Sequence, residues 1–132
     1  MRWILAIAIL SLATATARAE DCGNATTQAA MDDCAAASFQ KSDTALNTAY
    51  KQIMARLKDD EAARKLLTTA QRDWLAYRDA ECAFASSKVA GGSAYGMIAT
   101  FCRDDLTTQR LKQLQTYLKC QEGDMSCPVP GR

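Results

Sequence analysis

Apolar and polar positions recur along this chain at helical spacing, with no strand-like alternation. Thr26 or Thr27 can cap a first helix through its hydroxyl. From there Met31, Cys34, Ser38, Ala45, Leu46, Ala49, Ile53 and Leu57 form a stripe at three- and four-residue intervals, predicting a helix to about Lys58. Small residues in mid-stripe let a neighbouring helix come close. Asp59, Asp60 and Glu61 suit the positive start of a second helix, while Arg56 and Lys58 suit the negative end of the first. The second helix, from about Asp60 to Lys88, is expected to bury Leu67, Ala70, Trp74, Tyr77 and Glu81 or Cys82. Gly91-Gly92 ends it, because glycine takes the left-handed cap conformation without steric penalty. Ser93 is expected to cap a third helix carrying Met97, Phe101, Leu111, Leu114 and Leu118 on one face. The pattern predicts an all-α, up-down-up three-helix bundle, followed from Gln121 to Arg132 by an irregular tail that holds both prolines.

The N-terminal segment changes the picture of where this bundle works. Met1-Arg2 is a short basic start, Trp3 to Leu12 an apolar run, and Ala17-Arg18-Ala19 a small-x-small cleavage pattern. Residues 1–19 therefore read as a signal peptide, and 20–120 as the helical domain. The apolar run is too short to span a bilayer comfortably. Cys22 lies near the cut, but the acidic, bulky approach through Glu20 and Asp21 does not suit lipid attachment. Export to a bacterial periplasm or beyond is the expectation, with no membrane contact after cleavage near Ala19. Loss of Arg2 and Arg18 turns the formal charge from +1 to −1, which gives no steering toward nucleic acid or anionic lipid.

Six cysteines, all downstream of that segment, imply a disulfide framework in a small exported domain with a limited core. In two antiparallel helices, residues equally far from the turn lie side by side. Cys82 and Cys102 are each ten residues from Gly92 and should bridge the second hairpin. Cys120 and Cys127 would pin the tail, and Cys22 and Cys34 remain to join the leader to the first helix. Cys34 also lies near the level of Cys82, so exchanged pairings among the first four stay open.

The same rule sets Asp43 level with Arg78, and Arg110 level with Trp74. A partly buried Arg78–Asp43 ion pair and an Arg110 stacked on or near Trp74 are expected, fixing the register of a bundle whose apolar stripes might slip. The chemistry of catalysis is poorly represented. The chain has no histidine, the cysteines lack C-x-x-C spacing, and adjacent carboxylates such as Asp104-Asp105 cannot converge on one substrate. A binding protein without catalytic residues, metal or cofactor is the expectation.

Met31-x-x-Cys34, Asp43-x-x-Leu46-Asn47-x-x-Tyr50 and Gln71-x-x-Trp74-x-x-Tyr77-Arg78-Asp79-x-x-Cys82 occur in order. Gly92-Ser93, Cys102 and Leu106-Thr107-x-x-Arg110-x-x-x-Leu114 follow. This pattern resembles the N-terminal domain of the LprI-like lysozyme-inhibitor family, from about Cys22 to Leu118. The resemblance implies a cell-envelope protein that binds and blocks lysozyme or another cell-wall hydrolase. A lysozyme cleft holds two catalytic carboxylates, so a rigid loop offering donors and a little apolar surface can plug it. The loop from Lys88 to Tyr95 is the candidate, with Lys88 and Ser93 as donors and Tyr95 as a sugar-subsite ring. Asp32 and Asp33, near the same end, can meet a basic lysozyme surface. The alternative is a periplasmic immunity or scaffold protein for another envelope partner, with Gly91-Gly92-Ser93 serving only as the turn between helices.

Overall fold

Thr27 stands in extended backbone, φ −113° and ψ 154°, and its hydroxyl accepts the Ala30 N–H at 3.1 Å. This cap opens α1, Gln28–Arg56. Asp60 repeats the device one turn later, accepting the Ala63 N–H at 2.9 Å and opening α2, Glu61–Ala85. The third helix, α3, spans Tyr95–Tyr117. In this computed structural model, residues 22–131 are described. The proposed signal peptide and its cleavage site lie outside them. The fold is an all-α, disulfide-stapled, up-down-up three-helix bundle.

Helix α3 packs most closely along α1, with which it runs parallel, and less closely along α2. Two side-chain contacts fix the α1–α3 level. The Ser38 hydroxyl donates to Asp104 at 2.6 Å, and Arg56 donates to the Leu118 carbonyl at 2.8 Å. Arg56 thereby satisfies a carbonyl that the end of α3 leaves open.

The apolar core gathers at the end where α1 turns into α2. Leu46, Ala49, Ile53 and Leu57 of α1 meet Leu114 of α3 there, together with Cys120 and Val129 of the tail. Helix α2 adds only the half-buried Ala63, Leu67 and Trp74. The tail is irregular, as expected, yet it is part of the core: Val129 is buried. It folds back so closely that a side chain at Gly131 would stand 2.7 Å from the Glu122 nitrogen.

Three expectations about the second hairpin need correction. Helix α2 ends at Ala85, ahead of the glycines, because the buried Ser86 hydroxyl donates back to the Cys82 carbonyl at 2.6 Å and closes the last turn. Ser93 does not cap α3; Ala94 occupies that position and no side chain caps it. Tyr77 and Ala70 are exposed, while Gln71, Arg78 and Cys82 are the buried residues of α2. The stripe was set one position off because two of its true members are polar.

Candidate partner-binding site

At the opposite end of the bundle from the apolar core, residues 86–94 connect α2 to α3. Their backbone is a run of successive tight turns. Val89 N–H reaches the Ser86 carbonyl at 3.1 Å, Ala90 that of Ser87 at 3.2 Å, and Gly92 that of Val89 at 3.0 Å. Tyr95 N–H then reaches the Gly92 carbonyl at 3.2 Å. Ser87–Val89 forms a single 3-10 turn. Gly91 has φ +79°, the left-handed region that glycine enters without strain.

A disulfide closes the base of this loop. Cys82 and Cys102 are bonded, with their α-carbons 5.5 Å apart. Cys22–Cys34 ties a short 3-10 turn, Cys22–Asn24, onto the start of α1, and Cys120–Cys127 closes the tail. The pairing is therefore sequential, and no cysteine among the described residues is free.

Lys88 and Ser93 are exposed on this loop, and Tyr95 is half-buried at its exit. Asp33 is exposed on the first turns of α1, while Asp32 is half-buried and accepts a hydrogen bond from Gln28 at 3.0 Å. The up-down-up path brings both aspartates to the end that carries the loop. The arrangement sets a cation, a hydroxyl and a ring on a run of tight turns closed at its base by a disulfide. Among the described residues, no group of acidic or cysteine side chains is placed to hold a metal ion.

Beneath the loop, Arg78 joins all three helices. Its guanidinium lies 3.0 Å from Asp79 on its own helix, 3.8 Å from Asp43 of α1 and 3.4 Å from the Thr107 hydroxyl of α3. Its central carbon stands 5.4 Å from the Phe39 ring centre and 5.3 Å from that of Trp74. Arg103 of α3 approaches Asp79 at 3.9 Å. Burial of this cation is tolerable because rings cover it and its polar groups are partnered.

The Arg78–Asp43 pair expected from the sequence is present. The cation over Trp74 is Arg78, whereas Arg110 was expected there. Arg110 donates instead to Gln71 at 3.1 Å and to Gln113. It sits one helical turn along α2 from the expected level. Burial lowers the Arg110 pKa, partly offset by Tyr117, and the guanidinium remains charged at any ordinary pH. Phe39, Thr107 and Ser86 were missed. Thr107 was within reach, because reflection about Gly92 sets it beside Tyr77 and Arg78.

Among the described residues, no helix is long and apolar enough to cross a membrane. A protein of Rhizobium meliloti (strain 1021), itself uncharacterized, is 30% identical, with the alignment covering 89% of this chain and 95% of the relative. No solved structure matches. The family model described as lysozyme inhibitor LprI matches residues 19–114, and that family together with three disulfides suggests an extracytoplasmic location. On the strength of that match, which spans α1, α2 and most of α3, the chain belongs to the lysozyme inhibitor LprI family.

Proposed function

We propose that this protein binds lysozyme outside the cytoplasm and blocks it by occupying its cleft with the 86–94 loop, without chemistry of its own. Membership of the LprI family is the observation that carries the target. The loop is favoured as the contact because consecutive turns and the Cys82–Cys102 bridge hold its backbone before any partner arrives. A pre-ordered loop loses little conformational entropy on docking.

In this reading the exposed Lys88 ammonium and Ser93 hydroxyl donate to the two catalytic carboxylates of the muramidase. Tyr95 stacks in a neighbouring sugar subsite. Asp32 and Asp33 face the basic rim of the enzyme and raise the rate of encounter.

The test is clearing of a cell-wall suspension by lysozyme in the presence of stoichiometric, fully oxidised mature protein. Inhibition that is lost in a Lys88→Ala, Ser93→Ala, Tyr95→Ala triple variant of unchanged helicity supports the loop. Unchanged inhibition by that variant eliminates the loop, and absence of inhibition by the natural protein eliminates the target.

A further inference from the structure

Six outward positions on α2 carry a pattern that the bundle itself does not use. Leu66, Ala70, Asp73, Tyr77, Ala80 and Phe84 are all exposed, Leu66 to 73%, Tyr77 to 56% and Phe84 to 75%. Their spacing alternates between four and three residues, the spacing of a coiled-coil seam. With about 100° per residue, Leu66 and Phe84 fall on one line five turns apart. Asp73 and Tyr77 fall about 20° to either side of that line, and Ala70 and Ala80 about 40° to either side.

The seam is thus symmetric about position 75. Turned end over end, it maps onto itself with matched chemistry. Leu66 comes opposite Phe84 of a second copy, Ala70 opposite Ala80, and the Asp73 carboxylate opposite the Tyr77 hydroxyl, which can donate to it. We propose that the protein forms a two-fold dimer through antiparallel pairing of α2 from two copies.

Two further observations specify a second copy as the occupant. Thr69, Ala76 and Ala83 flank the seam and are small and exposed, so another helix can approach closely. Beside Leu66 lies a mostly apolar groove of about 240 Å³ lined by Leu57, Leu67, Ala70, Tyr117 and Val129, with Arg110 in its wall. An apolar cavity of about 150 Å³ accommodates a benzene ring. The antiparallel register delivers the second copy's Phe84 to this groove, and does so twice in the dimer.

Four aromatic rings, each more than half exposed in the single chain, put several hundred Å² into the contact. That is a large part of the roughly 1,000 Å² a specific interface needs. The 86–94 loops of the two copies project from opposite ends of the helix pair, leaving both free.

Sedimentation equilibrium of the oxidised mature protein across the micromolar range tests the proposal. A concentration-dependent dimer is expected, weakened at least tenfold by Leu66→Lys or Phe84→Glu, with helicity unchanged and with a melting temperature that matches the natural protein when both are diluted to the monomer, because both sites are exposed. Combining the two substitutions in one chain should weaken the dimer less than the product of the two single effects, since antiparallel pairing sets each new lysine against a new glutamate. A protein that stays monomeric, or a dimer indifferent to both single substitutions, overturns the interface. A double variant whose loss equals or exceeds the product of the two single effects overturns the antiparallel register.

Discussion

The two ends of the bundle are held by different forces. Where α1 meets α2 and the tail folds back, the buried residues include Leu46, Ile53, Leu57, Leu114 and Val129. At the loop end they are Ala35, Ser42, Arg78, Cys82, Ser86, Ala99 and Thr107, with no large aliphatic side chain among them. Small residues let helices approach closely but bury little apolar area, so hydrophobic stabilisation there is limited. Two disulfides and the Arg78 cluster occupy the same end. Covalent and polar contacts dominate at the end proposed to meet a partner, and apolar burial, together with the Cys120–Cys127 disulfide of the tail, at the other.

The sharpest way to break this contrast is to remove the apolar anchor. Ile53 is completely buried in the core cluster, and Ile53→Ala should cost about 3–5 kcal/mol through lost transfer energy and the cavity left behind. That is a large share of the roughly 5–15 kcal/mol available to a small domain. Urea denaturation of the oxidised protein measures it. A cost under about 1 kcal/mol would mean that the staples, rather than this core, determine global stability.

Next in size is the loop-end staple. Replacing Cys82 and Cys102 together by alanine should cost about 3 kcal/mol, the chain-entropy value for a loop of this length. The same change at Cys120 and Cys127, which close a shorter loop, should cost about 2 kcal/mol. The informative reading is spatial. Amide exchange should accelerate most in residues 86–94 after the first change and in the tail after the second. Equal effects at both ends would dissolve the distinction between them.

Arg78 comes third. Arg78→Ala removes a cation held between Phe39 and Trp74 and leaves a void among three helices. Asp43 and Asp79 are substantially exposed, so water can solvate them once the cation is gone, which discounts the electrostatic loss. About 2 kcal/mol is expected, chiefly from packing. Arg78→Met, which fills the space without charge, should recover more than half of that in thermal melts if packing dominates.

The same contrast explains what the sequence reveals and what it hides. The apolar end was legible: Leu46, Ala49, Ile53, Leu57 and Leu114 recur at helical period, and period follows from burial. The Cys82–Cys102 bridge and the Arg78–Asp43 pair followed from reflection about a turn, which needs only helix geometry. The inward face of α2 was misread because Gln71 and Arg78 are buried polar residues, and hydrophobic periodicity cannot register them. Ser86 was hidden for a related reason, since a serine that closes a helix through its hydroxyl looks like any loop serine. Arg110 departed from its expected level, although the same reflection held for Cys82–Cys102 and for Thr107, because Gln71 accepts its guanidinium and Arg78 already covers the Trp74 ring.

The smallest expected effect lies in the tail and depends on pH. The Asp124 carboxylate accepts from the Ser126 hydroxyl at 2.6 Å and from its backbone N–H at 2.9 Å, and these bonds hold its pKa below the ordinary value. A carboxylate with a folded-state pKa lower than its unfolded one contributes stability that is fully present above the unfolded value, near 4. The contribution is lost as pH falls from there through the lower folded value. Asp124 is fully exposed, so the consequence should be local: the 124–127 turn should loosen in acid while the melting temperature barely moves. Chemical shifts of Ser126 followed from neutral pH to below the carboxylate range measure this directly. Asp124→Asn should leave a weaker turn whose Ser126 shifts no longer titrate. If acid instead lowered the melting temperature equally in the natural protein and in this variant, the sensitive carboxylates would lie outside this turn.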